Sequence, residues 1–393
     1  MKCNAKFFKN LSVILASICS LPFIFSGCSV FGAANSTDEN SSESSSDNPI
    51  EQESTLKLND LFTDHMVLQG NKKVNIFGTG NGTVSVTIDN TTKTVTSEND
   101  EWVITLDEHP YGGPYNIDIV MDGKPTQLKD VYFGDVYLIA GQSNMEWKMK
   151  NSNDTSDLTS ELCRLNWQTS EKIRYFALGS MSGYEHFSPE DGWIVANKKT
   201  NIDYMSALGY NVALDIVNAK DRAVGLVACY QGASIIESWL PEEICEKEAY
   251  AIPETEKHSD HTNPTYHWNK NGILYNNVFA KAIGYTYSHV LWYQGESNTS
   301  PAEAEIYDEL VKELITRWRT DLNDPMLPFI MVQIADYVWG HATGWPGIQA
   351  AQARVPEEMD NVQMVVSRDV CDSNDIHPKD KRALAERIAA LIK

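Results

Sequence analysis

Val136-Tyr137-Leu138-Ile139-Ala140, followed at once by Gly141-Gln142-Ser143-Asn144-Met145, is the stretch whose reading decides the fold. A short continuous apolar run, without polar alternation, reads as a strand buried on both faces. A serine set where such a strand ends is well placed to act as a nucleophile. Its hydroxyl leaves the sheet edge while the backbone N–H groups behind it face the same space. The same serine suits a turn or a helix cap. Two further polar clusters add weight: Gln294-Gly295-Glu296-Ser297-Asn298 after another apolar run, and Asp375-Ile376-His377 near the C-terminus. Three polar clusters at three strand ends point to one site.

Outward from this stretch, similar runs fall at 173–178, 223–230, 290–293, 329–334 and 364–367, with helical stretches between them. That succession predicts an α/β fold with a parallel sheet covered on both faces, and ligands in such sheets sit outside the carboxyl ends of the strands. The clearest helix opens on Ser300-Pro301-Ala302-Glu303, a capping box with proline in the first turn, and carries Ile306, Leu310, Leu314 and Trp318 on one face. A last helix from about Lys379 turns Leu384, Ile388 and Leu391 inward. Between 56 and 129 the period is two, with breaks at 78–82, 90–92, 99–100 and 111–114, which predicts a small antiparallel β domain joined by hairpins. The segment 241–271 is polar and irregular. It holds His258, His261 and His267 among acids and reads as a lid or substrate loop. No metal-ligand spacing occurs in it, so no metal is expected.

At 393 residues, with 42% hydrophobic residues, ten Trp and seventeen Tyr, the chain is an ordinary folded protein of one large and one small domain. A formal net charge of −22 argues against nucleic acid or an anionic membrane surface as partner, although part of it lies in the acidic tail. A neutral substrate such as a sugar ester is unaffected. Residues 1–28 read as an export signal: Lys2, Lys6 and Lys9 precede an apolar core, and Phe25-Ser26-Gly27-Cys28 ends it. Residues 29–55 are a Ser-rich, acidic tether with almost no large apolar side chains. The expected order is signal (1–28), tether (29–55), β domain (56–130) and α/β domain (131–393). Of seven cysteines, Cys163, Cys229, Cys245 and Cys371 remain in the mature body, without C-x-x-C spacing. Nothing in the sequence sets their pairing or the oligomeric state.

The motifs together resemble the sialate O-acetylesterase family, a branch of the SGNH (GDSL-type) hydrolases that also includes acetylxylan-esterase-like enzymes. The likeness runs from about Leu58 to the C-terminus. It is carried by Leu61-Phe62-Thr63-Asp64-His65-Met66-Val67-Leu68-Gln69, Gly112-Gly113-Pro114-Tyr115, Gly134-Asp135-Val136-Tyr137, Gly141-Gln142-Ser143-Asn144-Met145-Glu146-Trp147, Trp292-Tyr293-Gln294-Gly295-Glu296-Ser297-Asn298 and Asp375-Ile376-His377-Pro378 followed by Lys381. The small-residue run before Cys28 resembles a bacterial lipobox, which implies lipidation of Cys28 and a cell-surface lipoprotein.

The resemblance implies a three-layer α/β/α hydrolase domain behind the β domain. It implies Ser143 as nucleophile, His377 as general base and Asp375 as the acid that orients the imidazole, with Asp372 as the alternative. The chemistry fits, because a serine hydroxyl needs a base to take its proton and the base needs a carboxylate to hold its tautomer. Expected oxyanion donors are the backbone N–H groups of Ser143 and Gly232 and a side-chain amide, Gln294 first and Asn298 second. Losing one such donor typically costs about 3 kcal/mol of transition-state stabilisation. Glu237 and Trp239 match the family pattern as packing groups. Where relatives often carry Arg three before a Gln, this chain has Gln349 before Gln352. Arginine is the residue suited to bidentate carboxylate binding, so neutral acetylated glycans are the better fit. Many relatives continue into a further β region, whereas this chain ends at Lys393, and contacts from such a region are not expected. The expected function is a cofactor-free carbohydrate O-acetylesterase on O-acetylated sialic acid or xylan-type glycans. A catalytically silent glycan-binding lipoprotein and a lipid-directed esterase are the alternatives.

Overall fold

Alternating apolar residues early in the described part of the chain form mostly antiparallel strands. The computed structural model describes residues 55–152, 167–183, 186–340 and 343–392. The expected signal, lipobox and nearly all of the tether, with Cys163, lie outside them. The early strands are β1 (Lys57–Leu58), β2 (Val67–Gln69), β3 (Val74–Thr79), β4 (Thr83–Ile88), β5 (Thr91–Thr96), β6 (Glu101–Leu106), β7 (Gly112–Met121) and β8 (Lys124–Gly141). β3 lies between β1 and β6, while β4 pairs with β5 and β7, and β7 with β8, all antiparallel. The β4–β5 hairpin turns on Asp89 and Asn90, and the β7–β8 hairpin on Asp122 and Gly123, all in the left-handed region that two-residue hairpins need. Sequence reading missed the second hairpin, and the expected break at 111–114 is largely strand: Gly112, Gly113 and Pro114 open β7 across a register irregularity.

β8 is the spine of the molecule. Its first part pairs antiparallel with β7; beyond Asp135 it lies parallel between β11 (Val224–Tyr230) and β12 (His289–Tyr293). With β9 (Ile173–Ala177), β10 (Ile194–Val195), β13 (Phe329–Val332) and β14 (Val362–Val365), the sheet runs β10-β9-β11-β8-β12-β13-β14, and β10 alone on this path is antiparallel to its neighbour. Residues 136–140 have no exposed surface, as a central parallel strand requires. The expected boundary at Asp130 falls inside β8, and Leu56–Lys393 forms one compact unit.

Among the described residues, the helices that bear on the sheet and the site are α1 (Ser143–Glu146), α2 (Ala207–Lys220), α3 (Pro301–Asp321), α4 (Trp345–Glu358) and α5 (Arg382–Leu391). α2 packs on β9, β11 and α5, whereas α3 packs on α4, and both α4 and α5 touch β14. α3 begins at the expected capping box, with Ser300 accepting from Glu303 N and Glu303 accepting from Ser300 N. Its inner face is Tyr307, Leu310, Val311, Leu314 and Trp318; Ile306 is only half-buried. Trp318 stacks on Phe279 and meets Trp239 and Trp292 edge-on, giving a four-ring core beneath β12. α5 starts three residues later than expected. Asp380 caps Arg382 N at 2.8 Å, and Leu391, expected inward, is 38% exposed. No helix among the described residues is long and apolar enough to cross a membrane.

Candidate active site

Parallel register brings the polar clusters together. Gly141 at the end of β8 stands level with Tyr230 of β11 and Tyr293 of β12, so the residues that follow each strand leave the sheet at one edge. The chain leaves β8 through Gly141 at φ +133, where a Cβ would lie 2.0 Å from the Tyr293 carbonyl oxygen. Only glycine fits that close approach. Gln142 then accepts from Gly295 N at 3.2 Å and Ser297 N at 3.4 Å, tying the first cluster to the second. Ser143 opens the short helix α1. Gly232, after β11, lies against it, since a Cβ on Gly232 would be 3.8 Å from Ser143 Cβ.

His377 reaches this point from the opposite end of the chain. Its Nε2 lies 2.9 Å from Ser143 Oγ, the contact that transfer of the hydroxyl proton needs. The imidazole is stacked on Trp147, with centroids 5.2 Å apart and planes 16° apart. Asn144 joins the segments: its Nδ2 donates to Glu296 Oε1 at 2.5 Å and to the Ile376 carbonyl at 3.0 Å, and its Oδ1 accepts from Lys381 Nζ at 2.6 Å. Burial lowers the His377 pKa, the nearby Lys381 cation lowers it further, and Asp375 opposes both. Burial also pushes the Lys381 ammonium down to about 8 and raises the Glu296 carboxyl.

The acid and amide expectations are corrected in detail. Asp375 Oδ1 accepts the backbone N–H of His377 at 2.9 Å, and among the described residues no hydrogen bond joins this carboxylate to the imidazole. Asp372 is turned away, accepting from Asn374 N and Nδ2. Gln294 is wholly buried: Nε2 donates to Ser234 O and Asn298 Oδ1, and Oε1 accepts from Tyr307. The Asn298 amide donates to Glu237 and Glu303 and accepts from Ile236 N. Both amides are committed to the frame and neither lines the cleft. Ser143 and Gly232 do line it, and neither backbone N–H has an acceptor among the described hydrogen bonds.

The cleft over Ser143 has a volume of about 680 Å³. One wall is the polar 241–271 segment, expected as a lid or loop. It is docked by a buried pair, His261 Nε2 to Glu303 Oε1 at 2.5 Å, and by His258 N to Glu303 Oε2 at 2.9 Å. Glu237, His261 and Glu303 bring candidate ligand atoms within 4.8 Å of one another. The Asn298 amide nitrogen already donates to both carboxylates, which makes the group a self-satisfied hydrogen-bond cluster rather than an open metal site. Burial works against a charged His261, but the Glu303 hydrogen bond and the charges of Glu237 and Glu303 hold its pKa above the ordinary value. Cys229, Cys245 and Cys371 are free thiols. Sequence reasoning gave no role to Trp147, Asn144 or Lys381, although each stood inside or beside a quoted motif. It also missed the cleft aromatics Tyr266, Trp268, Tyr337 and Trp339, which lie in stretches without periodicity, and Trp345, which opens α4.

A family model described as a carbohydrate esterase, sialic acid-specific acetylesterase, matches residues 133–392. The chain is 27% identical over 380 residues to the sialate O-acetylesterase of Mus musculus, covering 79% of this chain and 68% of that one. It is 27% identical over 356 residues to the sialate O-acetylesterase of Homo sapiens, covering 79% of this chain and 65% of that one. A carbohydrate acetylesterase of known structure from Xanthomonas citri matches with a TM-score of 0.71 at 25% identity, covering 85% of this chain and 74% of that chain. The alignments thus span about two thirds of the two mammalian relatives' length.

Proposed function

The chain belongs to the sialic acid-specific acetylesterase family of carbohydrate esterases and is an ester hydrolase, and from that premise we propose that it releases acetate from O-acetylated sugars through Ser143 and His377. The observation that carries the mechanism is the 2.9 Å contact between His377 Nε2 and Ser143 Oγ at the floor of the cleft. Ser143 Oγ attacks the acetyl carbonyl carbon as His377 Nε2 takes its proton. The oxyanion accepts from the backbone N–H groups of Ser143 and Gly232. Collapse breaks the bond to the sugar oxygen, which leaves with the proton from His377. Water then attacks the acetyl-enzyme, His377 takes a proton from it, and acetate departs as Ser143 regains its hydrogen. Asp375 contributes through the backbone of His377 and through its charge, which favours the imidazolium formed on the way.

The test is acetate release across acetylated glycans, O-acetylated sialic acid and acetylated xylan among them, with Ser143→Ala beside the parent. Loss of about 10⁴-fold in kcat supports the reading; undiminished release by the variant contradicts it. A silent glycan-binding role would leave the Ser143–His377 contact without a purpose.

The same reading gives the fold as a three-layer α/β/α arrangement behind a small N-terminal β domain. Support comes from the separate packing of α2 with α5 and of α3 with α4 beside the sheet, and from the antiparallel strands that precede the parallel part of β8. It also places the protein at a bacterial cell surface through a lipid on Cys28, supported by the sequence around that cysteine. Cys28→Ser would then move the protein from the membrane to the soluble fraction; unchanged membrane retention would contradict the anchor.

A further inference from the structure

Trp339 breaks the usual rule for large apolar side chains. It is 76% exposed, the most exposed of the large hydrophobic residues described, and its neighbour Val338 is 40% exposed. Both sit in a 3-10 turn, Val338–Gly340, that follows β13 at the sheet edge where Ser143 emerges, and Trp339 lines the same cleft as Ser143 and His377. The turn is anchored. Val338 N donates to Ser373 O at 2.9 Å, joining it to the segment that carries His377, and Trp345 Nε1 donates to Ala335 O at 2.8 Å. Tyr337 packs against Trp345, with ring centroids 5.3 Å apart. An indole exposed at the mouth of the cleft offers an aromatic face to what enters it.

The charges of the cleft narrow what that partner is. Among the described residues lining it there is no Lys or Arg, while Glu146, Asp260 and Glu296 are all present. Gln349 is buried, donates to Ile334 O, Ala335 O and Asp336 Oδ1, and is not among the residues that line the cleft. Among the described lining residues a sugar carboxylate would meet these acids and no Lys or Arg, which adds to the cost of its lost hydration. A neutral pyranose has no such cost, and the C–H groups on its face match an aromatic ring.

Building on the esterase reading above, we propose that Trp339 is a sugar-stacking subsite, so that the substrate is a neutral acetylated oligosaccharide with its acetylated unit over Ser143 and a neighbouring pyranose on the indole. Uncharged chains are selected over single anionic sugars by this platform and by the carboxylates among the described lining residues. The subsite is tested by steady-state acetate release from acetylated xylo-oligosaccharides, from O-acetylated sialic acid and from para-nitrophenyl acetate, with the parent protein, Trp339→Ala and Trp339→Phe.

The parent should prefer the xylo-oligosaccharide to the sialic acid by at least about tenfold in kcat/KM. Trp339→Ala should raise KM for the oligosaccharide about tenfold more than for para-nitrophenyl acetate with little change in kcat, and Trp339→Phe should recover most of the loss. Equal effects of Trp339→Ala on both substrates, or a preference for O-acetylated sialic acid, would overturn the subsite while leaving the esterase standing. Failure of the esterase reading is a separate result: no acetate from any of the three substrates, or release that Ser143→Ala leaves intact.

Discussion

The 2.9 Å contact between Ser143 and His377 joins residues from the two ends of the α/β region, and everything close to it acts on the imidazole. Both partners were legible in the sequence, because strand-end serine and late histidine carry their chemistry in their residue types. The supporting atoms were not. Whether Asp375 faces the ring or the backbone is a matter of one rotamer, and whether Gln294 and Asn298 face the cleft depends on Tyr307, Glu237 and Glu303, remote from them in the motif reading. Asp375→Asn keeps an oxygen for the His377 N–H and removes only the charge. Its kcat should fall by no more than about tenfold, against the roughly 10⁴-fold seen when a carboxylate holding an imidazole is lost. A fall of the larger size would show that the carboxylate turns to the ring during reaction. The pH profile separates the two charged neighbours. In the proposed mechanism neutral His377 is the base, so kcat/KM should be lost as pH falls through its pKa, which burial and Lys381 hold below the ordinary value. Lys381→Met removes a cation, raises the His377 pKa and should shift the acidic limb to higher pH. Asp375→Asn should shift it the other way, and limbs that stay in place would contradict the assigned electrostatics.

Elements carry the site through their ends. The capping box of α3 was readable from Ser300 and Glu303, yet Glu303 does more than cap: its other contacts hold His261 and the backbone of His258. A local motif has no means of announcing a partner from the 241–271 segment. His261 and Glu303 are 5% and 1% exposed, so His261→Ala leaves a buried carboxylate without its cation, a change that typically costs about 3–5 kcal/mol. The sign of the pH dependence follows from both shifts. His261 has a raised pKa, so its contribution is whole below its unfolded value and is lost as pH rises through the folded one. Glu303 has a lowered pKa, so its contribution is whole above its unfolded value and is lost as pH falls through the folded one. Denaturant midpoints of the parent and His261→Ala should therefore differ most at about pH 5.5 and converge toward alkaline pH. A gap that stays constant up to high pH would contradict an ion pair at this position.

Across the whole molecule, the change from alternating to continuous apolar pattern near Asp130 is real, but it marks a change of environment along one strand. β8 is half-exposed against β7 and then fully buried between β11 and β12, so one hydrogen-bonded ladder runs through the expected domain boundary. The parallel sheet, its strand positions and the family were legible because burial on both faces and long ordered motifs leave strong traces. The continuity of β8 was not, since a strand that changes sheet partners also changes its pattern. Residues 56–392 should therefore unfold as one unit, with far-ultraviolet circular dichroism and tryptophan fluorescence melting together. Early melting of the strands before residue 122 would contradict that. The claim on which the account rests is that acetyl passes through Ser143. Its most direct test is to quench the protein during turnover of an acetylated oligosaccharide and read the peptide containing residue 143 by mass spectrometry. The account predicts an acetyl group on Ser143 that is absent in Ser143→Ala, and turnover with the acetyl on another residue, or an unmodified Ser143 beside an active Ser143→Ala, would contradict it.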